Sequence, residues 1–388
     1  MYKLDFSDLT PERFLAEFWQ KKPLLLKQGF KHFTDPLSAD ELAGLALEEE
    51  VESRVVQCAN GNWQMETGPI SDFSRFGEQD WTILVQAVDH WHSEAATLLD
   101  PFRFIPNWRI DDLMVSFSTP GGGVGPHLDQ YDVFIVQGEG KRHWRVGMPD
   151  STLEQFCPHP RLLQVSPFNA CIDVIMEPGD ILYIPPGCPH EGISLENSLN
   201  YSVGFRAPAQ KDLLTGLADY LIDNDISGKR FTDPARPVSS NIGELGSADL
   251  TQVKQLLQQL VSDDESLPLW FGQYISRAKH ELDLQEPDPH YQAEEIAEYL
   301  EEGSELTLTG GLRCCYHQAS SDTSEPADIA LFINGEQYLL PGNELTTAKL
   351  LTEQRQLDEQ QCRHFLALPE RLGLLVHLIN LGYWHFTE

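Results

Sequence analysis

Helical and strand spacings of apolar residues are mixed over the first hundred or so positions of the chain. Thr10 ahead of Pro11 has the form of an N-cap followed by a proline in the first helical position, and Phe14, Leu15, Phe18 and Trp19 give that helix one apolar face. Pro23 ends it, and the run 24–26, all leucine, reads as a short buried strand. Ser38 with Glu41 predicts a capping box, and Asn60-Gly61 between VVQCA and NWQME predicts a tight hairpin. Residues 81–98 carry helical periodicity. From 109 to 206 the pattern shortens into LMVSFS, DVFIVQG, RHWRVG, CIDVIM, DILYIP and NYSVGF, punctuated by Gly, Pro, Asn and Asp. Such runs predict an antiparallel sandwich or barrel. From 211, KDLLTGLADYLI, LTQVKQLLQQLV and LWFGQYISRAKHEL each carry a one-sided apolar stripe and predict helices. A polar, proline-bearing linker covers 284–292. A small α+β unit follows: a helix over 293–302, the strand ELTLTG, a hairpin around Asn334-Gly335, and closing helices ending near Tyr383.

Composition adds bounds to this picture. A chain of 388 residues with 41% hydrophobic positions has room for more than one core. The 60 acidic and 27 basic residues leave a net charge of −33, which repels nucleic acid and anionic membranes and attracts basic partners. Residues 285–388 alone hold 18 acidic and 5 basic side chains, so no direct nucleic-acid contact is expected of the tail. The 7 cysteines include no CxxC pair, no apolar run is long enough to span a membrane, and the first residues lack the features of a signal peptide. The expectation is a reduced, soluble, cytoplasmic protein.

The candidate chemistry lies in GPHLDQYDVFIVQGEGKRHWRV. His127 and Asp129 are two apart at the mouth of an apolar strand, so alternation puts both on one face, with Tyr131 in the same register. Two histidines and one carboxylate on one face form the iron site of non-heme oxygenases. The stretch EPGDILYIPPGCPHEG supplies the missing ligand: a turn, a buried strand and the bend Pro185-Pro186-Gly187 lead to His190. Zinc is the rival metal, but Cys188, or Cys157 with His159, shows no recognisable zinc spacing. Gly121–Gly123 and Gly125 lack the Lys-Ser/Thr of a phosphate loop and read as a tight turn.

These segments, with FLAEFWQKKPLLLK at the start, NYSVGFRAP in the middle and LGYWHF at the end, resemble the JmjC-type 2-oxoglutarate oxygenases of the cupin superfamily, in particular the bacterial ribosomal oxygenase group. The resemblance implies an α+β chain with a double-stranded β-helix (jelly-roll) core, a helical dimerisation region and a C-terminal winged-helix-like domain. On this sequence they correspond to residues 1–208 (core 90–208), 209–284 and 285–388. It implies Fe(II) held by His127, Asp129 and His190, with 2-oxoglutarate and O2 as co-substrates. It further implies a homodimer that hydroxylates an arginine at Cβ in a basic large-subunit ribosomal protein, uL16. A histidine hydroxylase of another ribosomal protein and a non-catalytic binding scaffold are the alternatives. Arg142, two before Trp144, stands where relatives place the base that grips the far carboxylate of 2-oxoglutarate; from spacing alone it is equally a surface residue of KRHWR. Strand parity puts Asp112, Met114, Ser116 and Ser118 on one face. Ser118 is the expected hydroxyl partner at that carboxylate, and Asn200 is expected to orient the iron-proximal end. Asp112, Tyr131 and Ser202 form the candidate pocket for the substrate arginine, with Tyr131 against the flat guanidinium; a turn cap and ordinary core packing are the competing readings.

Overall fold

Antiparallel strands make up most of the N-terminal half of the computed structural model, which describes residues 2–6, 9–226, 228–262, 266–320 and 325–387. The strands are β1 (Leu24–Leu26), β2 (Ser53–Ala59), β3 (Asn62–Thr67), β4 (Trp81–Val85), β5 (Ile110–Ser118), β6 (Val133–Gln137), β7 (Arg142–Gly147), β8 (Gln155–His159), β9 (Leu162–Val165), β10 (Ala170–Met176), β11 (Ile181–Ile184), β12 (His190–Ser194) and β13 (Ser198–Phe205). An 8-stranded sheet runs β1-β11-β6-β13-β5-β4-β2-β3, and a 3-stranded sheet runs β10-β7-β12. Together they are the two walls of the double-stranded β-helix; β8 and β9 form a separate hairpin.

Period-two alternation assigns the two faces of the large sheet. Phe134 and Val136 of β6, Ile181 and Tyr183 of β11, and Leu199, Tyr201, Val203 and Phe205 of β13 enter a core under the N-terminal helices. Their neighbours Val133, Ile135, Leu182 and Ile184 point the other way and pack with Trp144, Val146, Met176 and Cys188 between the walls. Both faces are covered, which is why VFIV and ILYI are unbroken apolar runs. The helices on the outer face are α1 (Pro11–Glu17), α2 (Ala39–Leu45), α3 (Val88–Trp91) and α4 (Ser93–Ala96). Thr10 caps α1, and Ser38 with Glu41 forms the capping box of α2, as expected. Phe14 is fully buried, with its ring 4.9 Å from Tyr183 edge-on; burying one such side chain contributes roughly 1.5–3 kcal/mol. Asn60 and Gly61 both take positive φ, 53° and 77°, the geometry of the two-residue hairpin joining β2 and β3.

The rest of the chain supplies α5 (Gln210–Asp223), α6 (Ser247–Val261), α7 (Ser266–Ser276), α8 (Ala293–Glu301), β14 (Leu306–Leu308), β15 (Cys314–Gln318), β16 (Ile329–Ile333), β17 (Glu336–Leu340), α9 (Leu345–Glu353), β18 (Gln356–Leu357), α10 (Glu359–Leu366), α11 (Pro369–Asn380) and β19 (Trp384–Phe386). The chain divides into two compact units. One comprises Met1–Ala207, Ala278–Leu312 and Glu353–Glu388; the other comprises Pro208–Arg277 and Arg313–Thr352. The first therefore adds α8, α10, α11 and the sheet β18-β14-β19 to the barrel. In the second, α7 lies on the sheet β15-β16-β17, with Gly272 so close to the Phe332 ring that a Cβ would not fit.

Local expectations need correction in two places. Residues 81–98 are not one helix: Trp81–Val85 is strand β4, paired with β2 and β5, and only the short helices α3 and α4 follow. WTILV is buried at every position inside the sheet, and a run with no polar face cannot be told from a buried helix by periodicity. The helix expected over 269–282 ends at Ser276, and residues beyond it run as irregular chain.

Candidate metal and co-substrate site

His127, Asp129 and His190 converge, with one ligand atom from each lying within 4.8 Å of the others. Backbone pairing brings them together. His127 and His190 form an isolated antiparallel bridge, each main-chain N–H donating to the other's carbonyl at 3.0 Å, and Gly187 N–H donates to the Asp129 carbonyl at 2.8 Å. The Pro-Pro-Gly bend thus ties the His190 segment to the His-x-Asp segment, and Gly187 makes the bend at φ 77°. His127 and Asp129 lie ahead of β6 rather than within it. The two imidazoles are oriented alike: His127 Nδ1 is 3.0 Å from the Gly125 carbonyl oxygen, and His190 Nδ1 is 3.0 Å from that of Cys188. A carbonyl only accepts, so each Nδ1 carries the proton and each Nε2 presents a lone pair. His190 Nε2 lies 3.5 Å from Asp129 Oδ2. Burial, followed by the neighbouring His127, pushes His190 down to about 4, which keeps its imidazole neutral and able to ligate. Cys188 stays outside this set: burial pushes its thiol up to about 12, and it packs between the walls.

The site opens into a cavity of about 560 Å³ lined by strands of both walls. Arg142, on β7, is 5% exposed at its floor. Its Nη2 donates to Ser118 Oγ at 2.7 Å and Ser198 Oγ at 3.1 Å, and Nη1 to Ser116 Oγ at 3.4 Å. No carboxylate pairs with it among the described residues, and burial pushes it down to about 9. Arg142 Nε and both amide atoms of Asn200 are buried without hydrogen-bond partners. A buried cation held only by hydroxyls, next to an unsatisfied amide, fits a dicarboxylate that supplies the missing charge and acceptors. The Nε2 lone pairs and one carboxylate fit a divalent first-row metal with open positions.

Strand pairing explains the grouping. Ser118 faces Ser198 and Ser116 faces Asn200 across β5 and β13, while Ser194 of β12 faces Arg142 across β7. Ser118, fully buried, sits behind the guanidinium; Ser116 lines the cavity wall itself. At the cavity's other end, Asp112, Tyr131 and Ser202 all line the wall, as parity predicts. Asp112 accepts from Gln86 Nε2 at 2.6 Å and Ala87 N at 3.0 Å. Burial, then Asp89 and Asp111, raises its carboxyl to about 6. Tyr131 is 44% exposed, and its hydroxyl is raised by burial and by Asp129. Sequence reasoning overlooked Ser116 and Ser198 around Arg142, as well as Glu52, Arg54, Gln86 and His280 along the wall. Parity already pointed to Ser116. Nothing local marks His280, which arrives from a distant segment.

Known proteins resemble this chain along nearly its whole length. A family model described as the JmjC domain matches residues 97–213, and one described as a ROXA-like winged helix matches 249–385. The ribosomal protein uL16 3-hydroxylase of Escherichia coli strain K12 is 47% identical, over 96% of this chain and 96% of that protein. The X-ray structure of E. coli ycfD covers 100% of both chains with a TM-score of 0.90 and 46% identity. The structure of the E. coli ribosomal oxygenase YcfD in complex with cobalt and 2-oxoglutarate also covers 100% of both, with a TM-score of 0.88 and 44% identity. The chain belongs to the JmjC-domain family of ribosomal oxygenases.

Proposed function

We propose that the chain is an Fe(II)- and 2-oxoglutarate-dependent dioxygenase that hydroxylates an arginine side chain of ribosomal protein uL16 at Cβ. One observation carries the reading: a His-Asp-His cluster and a buried arginine without an acidic partner share one cavity. The relative's name, uL16 3-hydroxylase, supports the substrate and the position. When bound there, iron, 2-oxoglutarate and O2 supply the oxidation, one oxygen atom entering the substrate C–H bond and the other leaving in succinate alongside carbon dioxide.

The chain's own residues supply geometry. His127 and His190 hold the metal through Nε2, with Asp129 as the carboxylate. Arg142 binds the far carboxylate of 2-oxoglutarate, with Ser118 fixing the guanidinium, and Asn200 orients the end nearer the metal. Asp112 takes the substrate guanidinium, Tyr131 packs on its flat face, and Ser202 completes that pocket. The apolar side chains between the walls limit bulk water. Segment 1–208 carries this chemistry, 209–284 joins two copies as a homodimer, and 285–388 is the winged-helix-like domain. The chain's work on uL16 is placed in the cytoplasm, without membrane or nucleic-acid contact of its own, on the strength of the acidic net charge of −33; no helix among the described residues is long and apolar enough to cross a membrane.

Mass spectrometry of uL16 incubated with the enzyme, Fe(II), 2-oxoglutarate and O2 tests the reading. The expected product carries one added oxygen on an arginine, with matching succinate. Oxygen on histidine would make the chain a histidine hydroxylase, and no succinate would leave a binding scaffold.

A further inference from the structure

The two histidines of the metal cluster are fastened differently. Each gives its Nδ1–H to the carbonyl two residues back, His127 to Gly125 and His190 to Cys188. The barrel wall backs the second of these: Gly147 N–H of β7 donates to the Pro189 carbonyl at 2.8 Å, and His190 itself opens β12, which pairs with β7. Residues 124–126, which lead into His127, lean instead on the β8-β9 hairpin, a sheet of its own. Val165 N–H donates to the Pro126 carbonyl at 2.9 Å, and Gln164 Nε2 donates to the Val124 carbonyl at 2.9 Å.

Gln164 is only 3% exposed. Arg161, Leu162 and Leu163 of the same hairpin line the cavity, whereas Gln164 lies behind the loop. Gly125 is the joint between them. Its φ of 78° is left-handed, and a Cβ there would collide with the Gln164 amide. The carbonyls on either side of Gly125 are thus held from outside by β9, and the carbonyl of Gly125 itself is left to meet His127 Nδ1. We infer that Gln164 is a positioning residue for the metal site: by holding Val124 and packing on Gly125 it aims the Gly125 carbonyl, which fixes the tautomer and ring angle of His127. The inference rests on the reading of His127 as a metal ligand.

Loss of the partner that orients a ligating histidine weakens metal binding by about tenfold to a hundredfold. Gln164 acts one peptide further out, so about tenfold is expected. Two full-length variants test this without turnover. Gln164→Met keeps the bulk and loses the amide; Gln164→Glu keeps the shape and turns an acceptor toward the Val124 carbonyl. In Co(II) titrations of the metal-free proteins, followed by visible absorption, both raise the Kd by about tenfold while near-UV circular dichroism stays unchanged. Proteins folded before metal is added do not change this Kd through lost stability alone. In turnover, the Fe(II) concentration giving half the maximal rate rises by the same factor, and kcat at saturating Fe(II) returns to that of the unsubstituted enzyme. A Co(II) affinity unchanged in either folded variant overturns the inference, as does a loss of kcat that saturating Fe(II) does not restore. If the unsubstituted protein binds no Co(II), the reading of the metal cluster itself fails, and the role of Gln164 with it.

Discussion

Arg142 is a buried cation whose partners are hydroxyl groups, so much of its electrostatic need is met only when a carboxylate arrives. Arg142→Met is therefore expected to raise KM for 2-oxoglutarate by roughly a hundredfold while leaving KM for uL16 nearly unchanged, measured by succinate formation. Equal loss on both substrates would contradict the assignment. Asp112 makes a different demand. Its carboxyl stands at about 6 in the fold, against about 3.9 in an unfolded chain. The folded protein thus binds the proton more tightly, and the stability this group contributes is complete below about pH 4 and lost as pH rises through about 6. Relative to the unsubstituted protein, Asp112→Asn should gain stability progressively across that interval in urea denaturation; a difference that stays flat with pH would refute the shift. The cavity faces of Asp112 and Ser202 were legible from alternation alone, whereas His127 and Asp129 lie ahead of β6 and are brought to His190 by backbone pairing. Depth was not. Parity sets the side of the sheet a residue occupies but not its height, so Ser116 and Ser118 look equivalent until the hydrogen bonds to Arg142 separate them.

At the level of elements, α6 is a helix that buries none of its apolar residues among the described residues. Leu250, Val253, Leu257 and Leu260 recur at heptad spacing, are 57%, 43%, 58% and 37% exposed, and no residue of the helix is buried. A second copy supplies the missing surface in the proposed homodimer. Leu257→Asp is expected to halve the mass measured by light scattering, and a monomeric mass before substitution would sink the dimer. The stripe on α7 had the same appearance in sequence, yet it covers the sheet β15-β16-β17 with Trp270 and Ile275 buried. Periodicity reveals that a face is apolar; it does not say what covers it. The same limit explains β4, whose run WTILV fits a buried strand as well as a helix. Capping boxes and the Asn60-Gly61 turn were legible because their chemistry is local.

For the whole molecule, the net charge of −33 argues for a particular form of the substrate. A free basic protein is drawn to the acidic surface, whereas an assembled subunit presents RNA phosphates that repel it. Turnover on isolated uL16 is expected to exceed that on intact large subunits by at least about tenfold at low salt; faster turnover on intact subunits would refute this. The order of regions along the chain was legible from changing periodicity, but their partition was not, because long-range packing leaves no local mark. The unit holding the metal cluster draws on Met1–Ala207, Ala278–Leu312 and Glu353–Glu388. Translation runs in one direction, so the last codons encode part of the same compact unit as the first. A premature stop late in the message yields a chain lacking part of the compact unit that carries the metal cluster.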